Sequence, residues 1–154
     1  MENEDKIKLL QFNINRFDGY YTSINFKSSF FIISSVGMIG MLFQNKILNN
    51  TSYIAISMLL ITLVFVILAI KPYLKSLKKS NSNIFFHDIS SKGLEQFRKD
   101  LIQLEAKHYI NDLIEQNYYL SVGLKNKFEY LNKATIFFLI GVILFFISLF
   151  YKGF

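Results

Sequence analysis

The sequence predicts an all-α membrane protein with three transmembrane helices, a helical cytoplasmic module and a cytoplasmic N-terminus. Three observations carry this. The 154-residue chain is 52% hydrophobic and 17% aromatic with a single Pro, more apolar than a soluble domain of its length needs. The surplus lies in residues 28–43, 53–70 and 134–151, each a charge-free window of roughly 16 to 18 residues, the short end of what crosses a bilayer as a helix. A soluble chain this small could not cover three such helices. Finally, charge is segregated: of 17 Lys and Arg, only Lys46 and Lys152 lie outside residues 1–27 and 71–133, and all 11 Asp and Glu fall inside those two stretches. The positive-inside rule then puts both stretches in the cytoplasm.

Taken in order, residues 1–27 form a cytoplasmic amphipathic helix. Ile7, Leu10, Ile14, Phe17, Tyr21 and Ile24 recur at three- and four-residue steps, with Gly19 as the one weak point. The acidic start and the absence of a small-residue cleavage site exclude a secretory signal, so this segment is expected to stay attached. Lys27 marks the water interface, where its stem can snorkel. The first span, 28–44, carries Ser34, Ser35, Gly37 and Gly40, small residues suited to close helix contact or to a pore lining. A short external loop, 45–52, leads to the second span, 53–71, which ends at Lys71-Pro72 because Pro disfavours helix in the residue before it.

Residues 72–133 make the cytoplasmic module. Lys75, Lys78 and Lys79 follow the second span directly, a placement that anchors orientation and lipid headgroups. "SNSN" marks a loop, and "NIFFHDIS" (83–90) follows it. Its Ile84, Phe85, Phe86 and Ile89 can dock the loop onto an apolar helix seam, with Asp88 or Ser90 capping a nearby helix. After Ser90-Ser91, read as the helix cap, Leu94, Phe97, Leu101 and Leu104 step by three, four and three as a helix. The pattern resumes at Ile110, Leu113, Asn117, Leu120, Leu124, Phe128 and Leu131 without a Pro. One helix of about 60 Å, from residue 109 through the third span at 134–151, is therefore expected. Asn117 on that seam has the character of a register-fixing residue.

Chemistry is sparse. There is no Cys, which excludes disulfides, thiolate metal sites and a cysteine nucleophile. His87 and His108 are the only histidines, and a metal site would need Asp88, Glu105 or Asp112 to converge on both. No HExxH, phosphate-loop or nucleophile-elbow spacing occurs. No catalytic residues, metal or cofactor are expected.

The order of parts, with "NFKSSFFIISSVGMIGML" (25–42), "IKPYL" (70–74), "NIFFHDIS" (83–90) and "EQNYYLSVGLKNKFEYLNKA" (115–134), resembles the Pycsar effector transmembrane family. Those are bacterial membrane proteins of nucleotide-signalling anti-phage defence. Asn25 stands where the family often has an acidic residue, and Ser28 where it often has a small one, so no role of that acidic group is carried over. The resemblance implies an inner-membrane effector that senses a nucleotide from a partner cyclase or nucleotidyltransferase and disrupts the membrane on infection, an abortive response. In similar Hailong-type effectors a short single-stranded DNA holds the protein closed, so the sign of ligand control stays open.

On that footing the expected function is a nucleotide- or oligonucleotide-gated ion channel, homo-oligomeric and tetrameric as a working count. Lys75, Lys78, Lys79, His87, Lys107, Lys125 and Lys127 would meet phosphates, and Phe85, Phe86, Tyr118 and Tyr119 would stack on bases. The span residues Ser34, Ser35, Gly37 and Gly40 would line the axis, and membrane lipids are the remaining partner. The rivals are a holin-like or toxin-like pore former without a ligand, and a non-conducting scaffold for a cytoplasmic enzyme.

Overall fold

The computed structural model describes residues 2–44, 46, 48–72 and 82–150. All its elements are helices: α1 Asn3–Gln44, α2 Asn50–Ile70, α3 Phe86–Ser91, α4 Leu94–Ile102 and α5 Ala106–Phe150. Of these, α1, α2 and α5 are long and apolar enough to cross a membrane, so this is a multi-pass membrane protein. The chain divides into two compact units, Met1–Tyr20 with Pro72–Leu124, and Tyr21–Lys71 with Lys125–Phe154.

The second unit holds the apolar windows, and each of its helices buries a seven-residue pattern. On α2 the buried positions are Ser52, Ala55, Leu59, Thr62, Val66 and Ala69, alternating steps of three and four. On α5 they are Lys127, Leu131, Ala134, Phe138, Gly141, Phe145 and Ser148, again by fours and threes. On α1 they are Ile24, Ser28, Ser35 and Leu42. Such a repeat gives the shallow crossing of coiled-coil-like bundles. The inner face is rich in Ala, Gly, Ser and Thr, while Phe26, Ile33, Val64, Ile67, Ile143 and Phe150 point outward. That inversion suits helices surrounded by lipid, where association depends on close approach rather than on hiding oil from water.

Particular contacts fix the packing. Leu42, Ala55 and Phe145 form a core, with Met38, Ile56, Leu144 and Leu149 against it. Phe65 and Phe137 stack at 5.5 Å, and Phe31 meets Phe138 at 4.9 Å. Gly141 lets α2 come close: a Cβ there would lie 2.9 Å from Leu59 Cδ2 and 3.5 Å from Leu59 N. Hydroxyls inside the helices mostly return to their own backbone, as Thr62 does to Met58 O and Thr135 to Leu131 O. The turn before α2 is set by Lys46 at φ 53 and by a capping box in which Asn49 Oδ1 accepts from Ser52 N–H at 2.8 Å and Ser52 Oγ accepts from Asn49 N–H at 2.7 Å. The box starts α2 at Asn50, ahead of the apolar window.

In the first unit α5 and the start of α1 are joined by Asn117 Nδ2, which donates to Leu10 O at 3.1 Å and to Leu113 O at 2.8 Å. Gln11 Nε2 donates to Tyr109 OH at 3.0 Å. Gly19 does not break α1. Two sequence expectations differ from what is found here. The helix after Ser90-Ser91 takes Gly93, not a serine, as N-cap and has no side-chain cap, because those serines belong to α3 and donate to its own carbonyls. And α4 buries none of its residues: Leu94 and Ile102 are outward, and Leu104 falls in the break before α5.

Candidate functional site

Carboxylates fasten the start of "NIFFHDIS". Asp112, on α5, accepts from Asn83 N–H at 2.8 Å and from Ser82 Oγ at 3.2 Å. Ser82 Oγ in turn accepts from the N–H groups of Ile84 and Phe85, both at 3.1 Å, a serine turn that delivers the chain into α3. Asp88, only 5% exposed, accepts from Ser82 N–H at 3.3 Å. Beyond α3, Lys92 Nζ donates to Asn83 Oδ1 at 2.7 Å and pairs with Asp100 at 3.1 Å. The Lys92 hydrogen bond, then that from Gln96, holds the Asp100 carboxyl below the usual carboxylate range. Phe85, Ile84 and Ile89 are half-buried as a docking loop requires, but Phe86 faces out.

A second constellation closes the end of α2. Pro72 offers no N–H and stops the helix, leaving carbonyls in the last turn without intrahelical partners. Lys127 of α5 supplies donors: its Nζ lies 2.5 Å from Ala69 O and 2.8 Å from Lys71 O, with the Tyr21 ring centroid at 5.7 Å. Its charge also faces the negative end of the α2 dipole. Nearby, Lys133 lies 5.9 Å from the ring centroids of both Phe65 and Tyr130.

The residues expected to meet ligand are distributed as follows. Lys75, Lys78 and Lys79 lie outside the described residues. His87 and Lys107 are exposed on α3 and at the start of α5. Tyr118 is 62% exposed and sits edge-on to the half-buried Tyr119 at 5.4 Å. Eleven residues of helix return to nearly the same side, so Lys107, Ile114 and Tyr118 share one outward stripe, with Lys107 and Tyr118 about 16 Å apart along the axis. Lys125 is exposed, 4.0 Å from Glu129. Lys127, by contrast, is 6% exposed and already committed to protein carbonyls. In the first span Ser34 is half-buried and Ser35 fully buried, its Oγ without a partner among the described residues, as is that of Ser28. A Cβ added at Gly37 or Gly40 would meet no described atom within 4 Å, whereas one at Gly141 would press on Leu59.

Sequence reading missed the Lys127 clamp by putting Phe128 on the buried seam. The signal was present: Leu124, Lys127, Leu131 and Ala134 step by three, four and three, and the Lys-Pro exit announces a helix end in need of donors. Asp112 was noted only as a metal candidate. Among the described residues no cluster of three or more His, Asp or Glu side chains could hold a metal ion.

Neither the curated proteins nor the solved structures include a match to the chain. The family model described as the Pycsar effector protein domain does match, over residues 9–152. Pycsar effectors are membrane effectors of anti-phage defence, linked to cyclic-nucleotide signalling by a partner cyclase. With three spanning-length helices and a match covering nearly all of its length, the chain belongs to the Pycsar effector family.

Proposed function

We propose that this effector binds a nucleotide or short oligonucleotide on its first unit and, as a homo-oligomer in the bacterial inner membrane with that unit in the cytoplasm, gates an ion-conducting path that depolarises the infected cell. The ligand class comes from family membership. The observation that carries the binding surface is the outward Tyr118 stripe, where an exposed ring braced edge-on by Tyr119 offers a stacking platform. Lys107, exposed on the same stripe, offers a phosphate contact. Their separation makes these two contacts of different ligand groups, which favours an extended ligand over a single phosphate. His87, exposed on the same unit, is a further contact, as are Lys75, Lys78 and Lys79. Lys127 is not counted among them.

Oligomerisation is supported by the outer face of α1. Phe26, Phe30, Ile33, Gly37 and Gly40 follow one another by four, three, four and three, a second helix-packing seam. Phe26, Phe30 and Ile33 are exposed, and both glycines are open to approach. The test is binding of purified, detergent-solubilised protein to cyclic mononucleotides, cyclic dinucleotides and short oligodeoxynucleotides at several salt concentrations. Selective binding that weakens with salt and is lost in Tyr118→Ala and Lys107→Gln is expected. Absence of binding across the panel, with the helices intact, refutes the sensor reading in favour of a pore former without a ligand.

A further inference from the structure

The geometry points to Lys127 as a latch: its ammonium pins the C-terminal end of α2 to α5, and release of that contact frees the end of the span. The second half, that release accompanies opening, rests on the gating function proposed above. Three features separate this lysine from the others. It is 6% exposed, within a face otherwise made of apolar and small side chains. Its two hydrogen bonds go to backbone carbonyls of Ala69 and Lys71, on either side of the last α2 residue, Ile70. Among the described residues no carboxylate pairs with it. A full positive charge is thus balanced by partial charges alone: two carbonyls, the helix dipole and the Tyr21 ring.

That balance is what a latch requires. Two short charge-assisted bonds fix position, whereas a buried lysine paired to a carboxylate would be far costlier to separate. The held end also matters. Lys71, whose carbonyl Lys127 grips, directly precedes Pro72, which stops the helix, so the latch acts on the last backbone of the span.

The chain has no Cys, so a single cysteine can carry a spin label at Ile70, beside the latch, or at Tyr53, near the other end of α2. Both side chains are outward. In the full chain reconstituted in lipid, Lys127→Met should raise label mobility several-fold at position 70 and leave position 53 unchanged, while Lys127→Arg keeps position 70 immobile. An unchanged label at 70, or equal loosening at both positions, overturns the latch. If the Met variant is not recovered in the membrane, Lys127→Gln, which keeps an N–H donor without the charge, is read by the same two labels and the same two criteria. Ion flux from the same vesicles separates the two proposals: a loosened position 70 without altered flux leaves the latch standing and places the failure in the gating function.

Discussion

Removing the Asp112 carboxylate should unfasten the loop before α3 without unfolding the chain. Asp112 accepts two hydrogen bonds, from Asn83 N–H at 2.8 Å and Ser82 Oγ at 3.2 Å. A hydrogen bond to a charged group contributes about 1.5 to 3 kcal/mol, the lower end suiting a half-buried acceptor and a long second bond. Asp112→Ala therefore costs the closed loop about 2 kcal/mol, or roughly a 30-fold rise in its open fraction. Asp112→Asn keeps an acceptor for the Asn83 N–H but loses the charge, which leaves about 1 kcal/mol, near fivefold. Amide hydrogen exchange reads this directly. Asn83 loses its own partner, and Ile84 and Phe85 lose theirs when Ser82 Oγ is no longer oriented by Asp112. All three should exchange faster in the order Ala, Asn, wild type, with α2 amides unaffected. Equal exchange at these amides in Asp112→Ala and wild type would refute the claim that α5 holds the loop.

Two further outcomes follow from the same geometry. Gly141→Leu should lower thermal stability in detergent by about 1 to 3 kcal/mol, because the new side chain meets the fully buried Leu59; at Gly40 an added Cβ has no described atom within 4 Å, so Gly40→Leu should leave the melt unchanged while altering oligomer formation, and equal losses from both sink the distinction. The Asp100 carboxyl, held low by Lys92 and Gln96, has a folded pKa depressed below its unfolded value. It therefore stabilises the link to Lys92 at neutral pH, and that contribution fades as pH falls below about 4, through the folded pKa. Carbon-13 titration should give Asp100 a midpoint below the ordinary carboxylate range that rises in Lys92→Met; a midpoint indifferent to Lys92 counts against the pairing.

The spans were legible because their signal is compositional: three charge-free windows have no other stable use in so short a chain. The inner faces were less so, for a physical reason. In a lipid-facing helix both sides are apolar, so hydropathy contrast vanishes and the buried side is marked by size instead, as Ala55, Ala69, Ala134 and Gly141 show. Gly37 and Gly40 carry the same mark on the outer side of α1, and only coordinates separate the two cases. Asn117 was legible because a polar residue on a periodic seam needs a partner, and Leu10 O provides it. Lys127 and Asp112 were not, since each serves backbone groups distant in sequence: carbonyls 56 and 58 residues away, and an N–H 29 away. Side-chain patterns do not report which backbone groups lack partners.

These two residues act alike despite opposite charge. Each belongs to α5, and each satisfies backbone groups where an adjoining segment of the chain begins or ends: Lys127 where α2 stops, Asp112 where the chain approaches α3. Residues 73–81, with three of the lysines proposed to meet ligand, are thus bracketed in sequence by two anchor points on one helix. Within the second unit the helices gain little from the hydrophobic effect once surrounded by lipid, and they are held by close approach and a few polar contacts. In such a unit two hydrogen bonds at a helix end are a large share of what distinguishes one arrangement from another. A ligand that differs in affinity between arrangements by only a few kcal/mol could then shift the population decisively. The polar anchors of α5, rather than its long apolar face, are where control of this effector is expected to reside.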